Sequence, residues 1–231
     1  STTGQINIEF LKPQGTDGVR ANVYQDNELK TEVNLNGSIH LTDRLSTATL
    51  LHFENRQMDH DGNDDGFMDM PKLRQYNIMH RWAYVSPRWI SQLMVRALHD
   101  ERKGGQSLKH TNTDSAELPY STSVKTNRYE MQWKNGFTLN SDHNTSVALM
   151  MHGSWHDADN IFGMTRYDVT QKNGYAQLMF ETDINEHNNI SVGASLNHDY
   201  YDERFNPLGA TPDAGSKATK ETTPGLYAQY T

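Results

Sequence analysis

Cysteine is absent from this 231-residue chain, so no disulfide framework can staple it. Long apolar runs are missing too. Ala148-Leu149-Met150-Met151 is among the longest, whereas a membrane-spanning helix requires roughly 20 such residues. A role in a membrane must therefore come by another route. Basic charge is scarce: 21 Lys and Arg stand against 29 Asp and Glu, for a net charge of -8. The basic residues are scattered, so the chain lacks a phosphate-tracking surface and nucleic acid is not expected as a partner. Helical periodicity is absent throughout. The residues from Ser1 onward carry neither a basic nor an apolar leader region, so any targeting segment is expected to have been removed or to lie outside this sequence. With 35% hydrophobic residues, the chain is one large all-β unit or two small domains.

What the sequence has in abundance is alternation with period two, which places one residue type on each face of a strand. In 32–42, Val33, Leu35, Gly37, Ile39 and Leu41 oppose a wholly polar set. In 129–140, Tyr129, Met131, Trp133, Phe137 and Leu139 share a side that only Asn135 interrupts. Val147, Leu149, Met151 and Trp155 repeat the pattern, as do Ile190, Val192, Ala194 and Leu196. Weaker versions at 19–26, 46–54, 73–84, 89–100, 174–183 and 226–230 bring the total to about ten strands.

Connections alternate in length. Tight polar turns at 42–45, 86–88, 141–144 and 186–189 are separated by long insertions at 55–71, 103–125, 157–172 and 202–223. Short turns at one rim and long loops at the other describe an outer-membrane barrel, and soluble sandwiches keep no such order. The clean runs reach the 9 to 11 residues that cross a bilayer when tilted, beyond the usual strand of about 5 or 6. Aromatic residues gather near strand ends, at Trp82, Tyr84, Trp89, Tyr129, Trp155, Tyr200 and Tyr201, where they read as an interfacial girdle or as the core of a soluble sandwich. Lipid forbids unpaired strand edges, so about ten strands must close on themselves or on others. The last strand, 226–230, lacks its hairpin partner, and the expected fold is an all-β, antiparallel transmembrane β-barrel of which this chain supplies part.

The sharpest local motif is Asp61-Gly62-Asn63-Asp64-Asp65-Gly66-Phe67-Met68-Asp69. It satisfies D-x-[DN]-x-[DN]-G with Asp at the ninth place, the spacing by which alternate oxygens of a tight loop converge on Ca²⁺. Asp61, Asn63, Asp65 and Asp69 supply side-chain oxygens in this reading, the Phe67 carbonyl a backbone ligand, and Asp59 or Asp64 further charge. Lys72 occupies the twelfth position, where a full EF-hand carries a bidentate Glu, so a neighbouring loop must complete the coordination or binding is weak. The alternative is a solvated acidic turn.

His152 and His156 share a strand face but lie about 13 Å apart, too far for one ion, and read as polar residues facing a lumen. His40, His52, His80, His99 and His198 read as wall residues, and Met131 and Met151 as lipid contacts. Asp100-Glu101-Arg102 is no acid pair, because adjacent strand residues point to opposite faces. With no nucleophile elbow, phosphate loop or paired-His zinc motif, an enzyme is not expected.

The opening Thr3-Gly4-Gln5-Ile6-Asn7-Ile8-Glu9-Phe10-Leu11-Lys12-Pro13 resembles the end of the plug domain of TonB-dependent outer-membrane transporters, where a small-Gly-x-Ile-Asn-Ile stretch precedes the first barrel strand. The strand and loop order extends the resemblance over essentially the whole chain. The Asp64-Asp65-Gly66-Phe67 element, and the spacing of strands around it, is most similar to the cobalamin-transporter branch of gut Bacteroidetes. The resemblance implies a barrel of about twenty-two strands filled by an N-terminal plug. Residues 1–13 then end the plug and its exit linker, and 14–231 form the N-terminal portion of the barrel. It further implies location in the bacterial outer membrane and uptake of a scarce ligand, a corrinoid such as cobalamin, energised by the TonB complex acting on the plug. Ca²⁺ is implied in the extracellular loop of Asp59, Asp61, Asn63, Asp65, Phe67 and Asp69, with Asp157 and Asp159 as additional ligands. No redox cofactor is implied, and a surface lipoprotein fits as a lid. Related barrels carry siderophores, haem, metals and glycans on the same scaffold, so the cargo stays open. The rivals are a soluble β-sandwich that binds carbohydrate with Ca²⁺ and a passive porin.

Overall fold

The computed structural model describes residues 12–15, 18–107, 119–142, 144–207 and 215–231. The Thr3-Gly4-Gln5-Ile6-Asn7-Ile8 stretch lies outside them. Among the described residues, ten strands occur in chain order: β1 (Gly18–Gln25), β2 (Thr31–His40), β3 (Leu45–Arg56), β4 (Lys72–Val85), β5 (Trp89–Gly105), β6 (Ser121–Asn140), β7 (Thr145–Phe162), β8 (Thr165–Asn185), β9 (Asn188–Asn206) and β10 (Lys217–Tyr230). Each pairs antiparallel with its neighbours in sequence, which builds one meander sheet with β1 and β10 at its open edges. The division into two small domains is thereby set aside.

All the alternating segments of the sequence are strands, but several run further than their hydrophobic pattern. β8 has 21 residues and reaches about 70 Å at 3.4 Å per residue. The expected long insertion at 157–172 is not a loop. β7 continues through it to Phe162, a two-residue turn at Gly163 and Met164 reverses the chain, and β8 returns. Gly163, at φ 59°, supplies the left-handed conformation that the first central position of such a turn needs. The segments 103–105, 121–125, 202–206 and 217–223 are likewise paired strand. The strict alternation of short and long connections therefore fails at this rim, which also holds the five-residue β1–β2 turn. In that turn the Asp26 carboxylate accepts the Glu28 and Lys30 amides, each at 2.9 Å. Hydrophobic alternation marks a strand only where one face is apolar. Where both faces are wet the ladder continues unannounced.

The cross-strand register puts the separately read oily sides on one common face. One rung runs Leu35, Leu51, Ile78, Ala97, Tyr129, Trp155. Another runs Ile39, Thr47, Trp82, Leu93, Trp133, Met151, Ala176, Leu196. The opposite face carries Asn36, Leu50, Met79, Arg96, Glu130, Ser154, Asn173 and Asp199 on one rung. Register shifts at Thr138/Asn140 and Asp183/Asn185 are confined to the ends beside the short turns.

Candidate functional site

The apolar face is a band with two aromatic borders. Tyr129, Trp155 and Tyr200 share its upper rung, continued by Phe53 and Tyr76 one rung higher on β3 and β4. Tyr84 lies near the lower border, where Trp89, Phe137 and Phe180 follow, with Trp89 stacked on Phe137 at 5.7 Å between ring centroids. From Trp155 to Val147 the band covers about 27 Å along the strand, or about 21 Å if tilted by the 35–45° of outer-membrane barrels, whose apolar belts are about 25 Å tall. Two residues expected in the girdle stand elsewhere: Trp82 belongs to the middle of the band, and Tyr201 points to the polar face.

Side chains on the polar face bond to one another across strands. Arg96 donates to Asn77 Oδ1 at 3.1 Å and to Glu130 Oε2 at 3.2 Å, and Arg128, on the same strand as Glu130, donates to its other oxygen at 2.7 Å. Asn173 donates to Asn197 and Asp199 at 2.9 and 2.8 Å. His152 and His156 both stand here, two rungs apart. The best-covered hydrophobic side chains, Ala48, Leu73, Met79, Ala83 and Ala158, also belong to this polar face. Large residues of the apolar face stay open, with Trp155 48% and Leu178 53% exposed. A soluble sheet does the reverse.

His80, His99 and His198 lie on the apolar face, and each finds partners there. Thr47 donates its hydroxyl to the Arg81 carbonyl at 2.9 Å, so the contact at 2.8 Å is His80 Nε2–H donating to Thr47. Thr49 then donates to His80 Nδ1 at 2.7 Å. His99 Nδ1 donates to Asn127 Oδ1 at 2.7 Å, and His198 Nδ1 pairs with Thr222 at 2.8 Å. Met131 and Met151 are exposed on this face. Asn135, which interrupts this face between Trp133 and Phe137 in β6, is buried and accepts the Trp89 indole N–H at 3.3 Å.

Above the upper border the same face turns polar. Asn127, Asp157, Asp168, Thr170, Asp202 and Arg204 line a cavity of about 400 Å³. Asp157 accepts the Thr170 hydroxyl at 2.7 Å, and Arg166 donates to Asp168 at 2.7 Å. Asp157 and Asp159 are thus strand residues of β7, three strands from β4, and do not join the acidic loop as further cation ligands. On the polar face of the same extension, the Tyr167 hydroxyl donates to Glu203 at 2.8 Å. Hydrogen bonding with Tyr201 and then Glu203 pushes the Tyr167 phenol well above its usual range.

The acidic loop occupies 57–71, between β3 and β4. Its backbone matches the cation-loop pattern, with Gly66 at φ 84° in the sixth place and Asp64 at φ 55°. Asp61 accepts the Asp65 and Gly66 amides at 3.2 and 2.9 Å, Asp65 the Phe67 amide at 2.9 Å, and Asp69 the Gly62 amide at 2.8 Å. Asn63 Oδ1 accepts the Asp65 amide at 3.3 Å, and Lys72 stands 3.9 Å from Asp59. Among the described residues, no three His, Asp or Glu side chains gather closely enough to hold a metal ion. The loop backbone fits a cation, and its carboxylates each accept amides of the same loop while keeping further lone pairs. The loop is also tied to the end of β5: Met68 N donates to Gly105 O at 2.9 Å, and Ser107 N to Gly66 O at 2.8 Å. This tie left no mark in the sequence.

Comparisons with protein-family models, curated proteins and solved structures found no match.

Proposed function

We propose that this sheet is a section of the wall of a TonB-dependent outer-membrane transporter that takes up a scarce ligand, with a corrinoid as the favoured cargo. The observation that carries the reading is the inverted distribution of cover. The crowded side of the sheet is polar and cross-bonded, and the open side is apolar and bordered by aromatic rings. Lipid outside and a wet, filled bore inside account for both. The edges of β1 and β10 cannot stand unpaired in hydrocarbon, so further strands must complete the ring. In such a wall the extended ends of β5 to β9 rise above the membrane as rigid blades for ligand capture. Ca²⁺ would be held by Asp61, Asn63, Asp65 and Asp69 with the Phe67 carbonyl, stiffening the 57–71 loop, since a carboxylate oxygen that accepts one amide keeps a lone pair for a cation. Cargo passage belongs to the bore and plug, driven by the TonB complex, and a surface lipoprotein would cap the blades.

The test uses the full-length chain containing this sheet. It should require detergent to remain monodisperse, and it should bind cobalamin more weakly after EDTA, with Ca²⁺ restoring affinity. A protein that stays monomeric in plain buffer overturns the membrane wall. Detergent dependence without cobalamin binding overturns the cargo and leaves the wall standing.

A further inference from the structure

The upper border of the apolar face ends in a rung of alternating rings and ammonium groups: Trp155, Lys172, Tyr200, Lys220. Lys172 Nζ lies 5.1 Å from the Trp155 ring centroid and 5.8 Å from that of Tyr200, and Lys220 Nζ lies 5.7 Å from Tyr200 on its other side. In a chain with 29 acidic residues, neither lysine forms an ion pair among the described residues. Their neighbours explain the choice. The rung below, Gly153, Gly174, His198 and Thr222, offers no carboxylate, and in the rung above Asp157 and Asp202 are engaged by Thr170 and Arg204. Two cations are thus held over aromatic faces, with no protein anion between them, on the outward side of the wall. Aromatic belts sit at headgroup depth, and long basic side chains there lift their charge toward the polar layer.

We propose that Lys172 and Lys220, clamped about Tyr200, form a site for the phosphorylated headgroup of an outer-leaflet lipid. This rests on the membrane reading above and adds a partner to it. The rings fix the ammonium groups at the depth of the lipid phosphates. The polar cavity above them begins one rung higher at Asn127, Asp157 and Asp202 and continues two rungs higher at Asp159, Asp168 and Arg204, so its acidic lining would receive the hydroxyl groups of the headgroup and leave the phosphate to the lysines. Ammonium groups seek phosphate as point charges, so arginine should substitute for lysine and a neutral side chain should not.

The experiment measures retained phosphorylated lipid by native mass spectrometry of the full-length protein extracted in mild detergent, then titrates lipid back. Lys172→Gln with Lys220→Gln should lower apparent lipid affinity about thirtyfold, and each single change about fivefold. The double change to Arg should retain lipid. Heat-modifiable migration on a denaturing gel verifies that each variant still forms its barrel. Equal lipid retention by the double Gln variant, with the barrel intact, overturns the site and leaves the membrane wall standing. Displacement by millimolar inorganic phosphate, or equal retention of dephosphorylated lipid, overturns the assignment to a lipid headgroup. A wild-type chain that needs no detergent at all overturns the membrane reading itself.

Discussion

Met151 offers a direct measurement of what bathes the apolar face. It occupies the middle of the band, two rungs below Trp155 and two above Val147, beside Trp133 and Ala176. It is 36% exposed, so protein does not enclose it. Three environments give three different pairs of results for Met151→Arg and Met151→Trp. In hydrocarbon, Arg at the midplane costs about 2–4 kcal/mol, whereas Trp meets only fluid chains and costs close to nothing. In water, neither change matters. In a packed protein core both are costly, Arg as an unpaired buried charge and Trp by overpacking of about 1–3 kcal/mol. Two controls bracket the effect: His152→Arg, the next residue on the polar face, and Asp159→Arg, four residues above the border, should each shift stability by less than about 1 kcal/mol. Urea unfolding of the full-length chain in lipid vesicles provides the assay, read as a change in midpoint at constant slope. Tolerance of Arg at 151, or a penalty for Trp equal to that for Arg, would refute the lipid-facing assignment and the function built on it.

Gly105 and Tyr167 test the extension of the strands beyond the apolar band. Gly105 has φ 117°, and a Cβ added there would stand 2.3 Å from the Tyr120 carbonyl oxygen and 2.8 Å from Ser121 Cα. Gly105→Ala should therefore cost about 1–3 kcal/mol locally and break the tie from Met68, raising amide exchange at 66–69. Gly136→Ala, with open space around it, should change little, and unchanged exchange in Gly105→Ala would show that the tie does not form. For Tyr167, the raised phenol means the folded state favours the neutral form. Its contribution to stability is complete below the ordinary tyrosine value near 10 and is lost as pH rises through the higher folded value. Phenolate absorbance should show one late-ionising tyrosine that disappears in Tyr167→Phe; ionisation of all tyrosines together would refute the contacts with Tyr201 and Glu203.

The alternation in 32–42, 129–140 and 145–156 was enough to place Leu35, Tyr129 and Trp155 each on the oily side of its own strand, because a period of two leaves a strand no freedom in which residues share a face, and the register then joined those sides. The acidic loop was legible for a related reason: only Gly66, with no Cβ, and small carboxylate or amide side chains able to accept nearby amides suit so tight a reversal. Other features depended on partners distant in sequence. Nothing local in 157–172 distinguishes a ladder wet on both sides from a polar loop. The pairing of Asp157 with Thr170 and of Asp168 with Arg204 decided it. His80, His99 and His198 look like lumen residues singly, and only register brings Thr47, Thr49, Asn127 and Thr222 to them. The chain by itself therefore fixed the strands, their oily sides and the chemistry of one loop. Tertiary structure alone decided how far the strands extend and which face is crowded, because a backbone ladder and side-chain cover are properties of neighbours brought together by folding.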